Sequence, residues 1–222
     1  MQRSLLALGL MVLAGLIVGV PSFAAAKEAT RCTDRLAPGT YGRVVVPAGA
    51  VCINNEGPIT IRGGLYVEAG GTFIFGDEES PDVNATINGG VHAKNAGSVQ
   101  VHFSTINGGI DVQGGAGPDG GPFDFGDGFR PTWNTFEDNT INGKVTIEAY
   151  NGFWQGFFRN TVNGTVNFNH NTVVDPDGNE MQTNTIHGNL NCTGNTPAPQ
   201  QGDSGGSPNT VTGAKTGQCE GI

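Results

Sequence analysis

Positive charge is scarce in this chain: 11 Lys and Arg stand against 20 Asp and Glu among 222 residues, a net charge of −9. Nucleic acids and anionic lipid surfaces require a basic face, so neither is expected as a main partner. Charged residues of both signs make up 14% of the chain, below the roughly 25% of ordinary globular domains. Catalytic clusters of acids and bases therefore have few residues to draw on. No long apolar stripe with a period of about 3.6 residues follows residue 26, which excludes a helical architecture. Four cysteines and no Cys-x-x-Cys exclude thioredoxin-like redox chemistry.

What is present begins with a leader. Residues 1–26 read as a secretory signal peptide: Arg3 is the positive n-region, Leu5 to Val20 the apolar core, and Ala24-Ala25-Ala26 a small-residue cleavage site. The apolar run is short for a spanning helix and no second run follows. The expected mature chain, residues 27–222, is exported and without membrane contact after cleavage. It is long enough for one domain with a real core. Losing Arg3 leaves it one charge more negative, which favours solubility.

The main internal pattern is a repeat. The unit Thr-Ile/Val-x-Gly occurs seven times, beginning at Thr60, Thr86, Thr105, Thr140, Thr161, Thr185 and Thr210, with spacings of 26, 19, 35, 21, 24 and 25 residues. A period near two dozen is that of a solenoid. After most of these glycines comes an apolar-polar-apolar triplet, such as Leu65-Tyr66-Val67, Ile110-Asp111-Val112 and Val166-Asn167-Phe168. Alternation with period two predicts a strand with one buried face. The Asn-Gly step between the two apolar pieces predicts a bend built on positive φ.

The expected fold is all-β: a right-handed parallel β-helix of about seven coils with disulfide-clamped ends. Stacking would align Asn88, Asn107, Asn142 and Asn163 into an amide ladder. The Thr column has one Thr per coil, which argues against an ice-binding array. Solenoid ends need capping. Residues 27–58 are expected as an N-terminal cap, 59–196 as coils with an insertion near 114–131, and 197–222 as a C-terminal tail and cap. Three disulfide connectivities are open. Cys32–Cys52 and Cys192–Cys219 are favoured because each pair sits at one end of the repeats.

These repeats resemble the right-handed parallel β-helix (pectin-lyase-like) superfamily. More closely, the segments Tyr41 to Cys52 and Pro208 to Cys219 resemble the ends of uncharacterised secreted bacterial β-helix proteins. The resemblance implies a fold and an extracellular location and hands over no activity.

Candidate sites are few. Gly202-Asp203-Ser204-Gly205-Gly206 resembles the nucleophile motif of chymotrypsin-like serine proteases, but it sits in a Pro/Gln/Gly-rich tail and reads as a flexible linker. Gly114-Gly115-Ala116-Gly117-Pro118-Asp119 matches the start of a calcium-binding nonapeptide, in one copy. Asp175 to Glu180 and Asp77-Glu78-Glu79 are further oxygen-rich turns. None alone supplies the six to eight oxygens that calcium takes, so no cofactor is expected; calcium is the one ion these turns suggest. The outward triplet column holds one carboxylate, Asp111, and no catalytic residue is assigned.

Aromatics give the best binding candidate. Ten of the chain's 17 fall between Phe123 and Phe158: Phe123, Phe125, Phe129, Trp133, Phe136, Tyr150, Phe153, Trp154, Phe157 and Phe158. All except Phe136 are taken as binding candidates, with core packing as the competing role. The expected function is a secreted structural or binding protein that engages polysaccharide or a cell-surface protein. A small polysaccharide lyase or hydrolase is the alternative.

Overall fold

The computed structural model describes residues 29–222, so the expected leader, 1–26, lies outside the described residues. The described chain is all-β. Its strands form three sheets of nine, eight and six members, and neighbouring strands run parallel. Within each sheet the strands follow chain order, and the other two sheets are visited in between, which is solenoid winding.

The nine-stranded sheet carries the triplets. Tyr66, His92, Asp111, Thr146, Asn167 and Asn191 are successive partners across Leu65–Val67, Val91–Ala96, Ile110–Gly115, Val145–Glu148, Val166–Asn169 and Leu190–Thr193. The eight-stranded sheet carries the repeat unit. Thr60, Thr86, Thr105, Thr140, Thr161, Thr185 and Thr210 stack in register, with Ile61, Ile87, Ile106, Ile141, Val162 and Ile186 beside them and fully buried. The six-stranded sheet comprises Val51–Asn54, Thr72–Phe75, Ser98–His102, Trp133–Glu137, Trp154–Phe158 and Glu180–Gln182. Its inner column runs Phe75, Val101, Phe136, Phe157, Met181. Stacked apolar side chains make up one core, and each fully buried aliphatic or aromatic side chain contributes about 1.5–3 kcal/mol.

The bends form only in part as expected: Gly108 and Gly143, of the Asn107-Gly108 and Asn142-Gly143 steps, have positive φ of 122° and 157°. No Asn of these steps has positive φ, and further positive-φ glycines, Gly64, Gly90 and Gly109 at 86°, 79° and 83°, stand one residue after the repeat glycine. The glycine after the Asn is needed for close approach. A Cβ on Gly89 would lie 2.5 Å from the Gly64 nitrogen, and one on Gly164 would lie 2.4 Å from the Gly143 oxygen. Successive bends thus touch backbone to backbone.

Asparagines hold the corners. The outer ladder forms as expected: Asn107 Nδ2 donates to Asn88 Oδ1 at 2.9 Å, Asn142 to Asn107 at 2.8 Å and Asn163 to Asn142 at 2.7 Å. A second, buried ladder of Asn139, Asn160, Asn184 and Asn209 links the six- and eight-stranded sheets. Each of the first three also accepts or donates backbone bonds, as when Asn160 Nδ2 reaches the Phe136 carbonyl at 2.8 Å. Asp138, Arg159 and Thr183 precede three of these asparagines and sit at φ of 56°, 50° and 58°. Left-handed non-glycine residues cost about 1–3 kcal/mol each, so the buried amides must over-determine the corner. A third ladder runs Asn171, Asn195, Gln218.

The disulfides pair as favoured, Cys32–Cys52 and Cys192–Cys219, with Cα separations of 5.4 and 5.3 Å. One sits near each end of the strand order, and together they fit an oxidising, extracellular environment. The segments expected as caps also add strands to the sheets: Val44–Val46 pairs with Leu65–Val67, and Thr210–Val211 with Thr185–Ile186.

Candidate functional site

The outer face of the six-stranded sheet is where the unusual side chains gather. Strand alternation sends Ser98, Gln100 and His102 outward, then Trp133, Thr135 and Glu137, then Trp154, Gly156 and Phe158, then Glu180 and Gln182. Trp133 and Trp154 are direct partners one coil apart, about 4.8 Å between backbones. Both are half-buried and both border two hollows. One, of about 290 Å³, also has Asp77, Glu78, His102, Glu137, Arg159 and Ser204 in its wall. The other, of about 320 Å³, is apolar apart from Asp175 and is completed by Phe153.

Gly156 makes the floor. A Cβ there would lie 2.4 Å from Trp154 Cη2 and 2.6 Å from Phe158 Cε2, so the glycine lets both rings fold across the strand. The Trp154 indole Nε1 then donates to Glu180 Oε1 at 3.2 Å.

The insertion supplies the rim. Residues 116–132 form a loop closed by Gly120 and Gly121 amides on the Arg130 carbonyl and by Asp119, whose Oδ1 accepts from the Gly120 and Arg130 amides at 2.8 and 3.0 Å. Asp119, the acid of the calcium-like motif, is thus used in loop closure. The loop lays Phe125 on Trp133, centroids 5.0 Å apart, and Phe129 on Phe153 at 5.1 Å.

The nine aromatic candidates therefore divide. Tyr150 and Phe157 are fully buried and Phe158 is nearly so; they pack the interior and the floor. Phe123, Phe125 and Phe129 are 47, 58 and 41% exposed, and Trp133, Phe153 and Trp154 are half-buried. Adjacent strand residues point to opposite faces, which is why Phe157 and Phe158 part company.

A charged network edges the first hollow. His102 Nδ1 lies 3.1 Å from Glu137 Oε2, Arg159 Nη2 bonds Glu137 Oε1, and Arg159 grips both Asp138 oxygens at 2.9 Å. Burial pushes the Glu137 carboxyl up, but His102 and Arg159 outweigh it and hold the group below the usual carboxylate range. Glu180 goes the other way: burial raises it, Ser204 and Trp154 pull it back in part, and Asp177 and Asp203 raise it further. Of these residues the sequence singled out Trp154 as a binding candidate and Asp177, Glu180, Asp203 and Ser204 only within turn motifs; it gave no sign that His102, Glu137, Asp138 and Arg159 gather beside them, because the columns that bring them together belong to a sheet whose strands repeat no motif.

The Gly202–Gly206 segment is not a linker. It docks on the sheet, with the Thr183 amide on the Ser207 carbonyl at 2.7 Å and the Met181 amide on the Gln200 carbonyl at 2.8 Å. A Cβ on Gly202 would lie 2.2 Å from Glu180 Cδ, so glycine is required for this contact. Ser204 borders the same hollow as His102 and Glu137, yet no hydrogen bond joins Ser204 to His102 among the described residues. The nucleophile–base pair of a serine hydrolase is therefore unformed. Docking also brings Asp203 to Asp177 and Glu180, with one oxygen of each within 4.8 Å of the others. One oxygen from each falls short of calcium's six to eight; bidentate binding, backbone carbonyls or water would have to complete the shell.

A further groove, of about 370 Å³, lies on the nine-stranded sheet, where Arg43 covers Tyr66 at 4.7 Å and Tyr66 stacks on His92 at 4.8 Å. Its aromatic and guanidinium faces are spent on one another. No protein-family model, curated protein or solved structure matches the chain.

Proposed function

We propose that this is a secreted polysaccharide-binding protein that holds a glycan chain against Trp133 and Trp154 without transforming it. The three sheets are read as the faces of a right-handed parallel β-helix of the pectin-lyase-like kind, about seven coils long, one per Thr-Ile/Val-x-Gly unit. The observation that carries the reading is the tryptophan pair, one coil apart, with an open hollow on either side. Sugar rings present apolar C–H faces to indoles and hydroxyls to polar edges, and this cleft offers both. Export rests on the leader at 1–26 and suits the two disulfides.

Co-sedimentation of the mature protein with peptidoglycan, cellulose, chitin and whole cell walls tests it. Retention on one polymer without released soluble sugar is expected, and Trp154→Ala is expected to lose retention while keeping its circular dichroism. No retention on any polymer would overturn the reading.

One observation favours a second reading, a glycan-cleaving enzyme. Glu137 and Glu180 stand on one face with ionisation pushed in opposite directions, the pattern of a base or nucleophile and an acid. Both are 4% exposed or less and already bonded, which is why binding leads. Release of reducing ends that stops in Glu180→Gln would reverse that order.

A further inference from the structure

The tryptophan cleft is lined by acid, and this sets which glycans it takes. Asp77 and Glu78 border one hollow and Asp175 the other. Asp77 and Glu78 are exposed and Asp175 half-buried, and none forms an ion pair among the described residues. The cation in the same wall, Arg159, is neutralised by both oxygens of Asp138 and by Glu137. A ligand lying on the indoles thus meets unpaired negative charge on both sides and no free positive charge.

We propose that the cleft selects amino-sugar polysaccharides with free, protonated amines, and rejects polyuronates. The inference rests on the polysaccharide reading above and names its ligand class. A carboxylated chain would set its charges against Asp77, Glu78 and Asp175, a repulsion summed over three solvent-facing acids and strongest at low salt. An ammonium at the sugar carbon beside a stacked ring would find a carboxylate within reach in either hollow. The chain's overall negative charge attracts cationic polymers anywhere, so preference must be traced to these three acids and not to net charge alone.

Affinity electrophoresis of the full mature chain through gels containing glucosamine polymer decides this, using one polymer length at low and at high N-acetylation, and polygalacturonate beside them. The low-acetyl polymer is expected to retard the protein about tenfold more strongly than the acetylated one, through several weak charge pairs, and polygalacturonate not at all. Raising the pH until the sugar amines lose their protons should erase the difference. Asp77→Asn/Glu78→Gln/Asp175→Asn should bind both glucosamine polymers equally. The matched control Asp34→Asn/Asp111→Asn/Glu220→Gln, with the same net charge, should keep the preference. Trp154→Ala should lose both polymers.

Equal binding of the two glucosamine polymers, tighter binding of polygalacturonate, or loss of preference in the matched control would overturn the charge selection while leaving polysaccharide binding intact. Retardation by none of the three gels, together with no retention on insoluble polymers, would remove the underlying reading as well.

Discussion

The indole of Trp154 donates to Glu180 across one coil, Nε1 to Oε1 at 3.2 Å, over a floor that Gly156 keeps open. Burial and the neighbouring Asp177 and Asp203 raise the Glu180 carboxyl above its ordinary range. The folded state then holds its proton more tightly than the unfolded chain, whose Glu titrates near about 4.3. This contribution to stability is full below the unfolded value and is lost as pH rises through the folded one. Glu180→Gln keeps an acceptor for the indole and removes the charge. It is expected to flatten that decline and raise the melting temperature at pH 7 by about 2–4 °C, read by thermal unfolding from pH 4 to 8. A lower melting temperature at pH 7 would mean that the ionised carboxylate is structurally needed.

Glu137 provides the opposite sign. His102 and Arg159 outweigh burial and lower its pKa, so its stabilisation is present above the unfolded value and lost as pH falls through the folded one. Arg159→Met should leave the buried carboxylate with His102 alone at a cost of about 3 kcal/mol or more at neutral pH. Chemical denaturation at pH 7 and pH 4 checks this: the difference between variant and parent should shrink at the lower pH. A constant difference would assign the loss to packing of the Arg159 stem.

The outer ladder and the buried Asn139–Asn209 ladder should differ sharply in weight. Asn160 is buried and joins Asn139, Asn184 and the Phe136 carbonyl, so Asn160→Ala strands several buried polar groups at about 1–3 kcal/mol each. Asn142 bonds Asn107 and Asn163 at the exposed corner, where water substitutes, and Asn142→Ala should cost about 1 kcal/mol or less. Paired urea titrations measure both. Similar costs would mean that the outer ladder is the true brace.

The disulfides close loops with sequence separations of 20 and 27 residues. Each should contribute about 3 kcal/mol by restricting the unfolded chain. Cys192→Ser/Cys219→Ser should lower the denaturation midpoint by that amount and release hydrogen-exchange protection first in Thr210–Val211 and Lys215–Gly217, the last strands of their sheets. Non-reducing peptide mapping should return Cys32 linked to Cys52; a Cys32–Cys219 link would refute the arrangement.

The triplet strands, the Thr-Ile register and the outer Asn ladder were all legible in the sequence, since each recurs at the solenoid period. The buried ladder was less so, although Asn139, Asn160, Asn184 and Asn209 each stand just before a repeat Thr. That fixed offset was the available signal. The close approach behind Gly89 and Gly164 had no signal, because a glycine that avoids a neighbour's backbone looks in sequence like one that turns the chain.

The cleft was legible only as a concentration of aromatics. Sequence alone determined an all-β chain with inward and outward faces, because alternation at period two fixes burial whatever the partner strand. It also determined the shortage of positive charge and favoured the disulfide pairing that the structure then showed. Tertiary structure decided which aromatics face out, how the 116–132 loop places Phe125 and Phe129 over Trp133 and Phe153, and that the Gly202–Gly206 segment docks against Glu180. Those contacts join residues in different coils and loops, between which no periodicity runs. They depend on which side chains happen to stack when the coils close, and that is a property of the packed solid, not of the string.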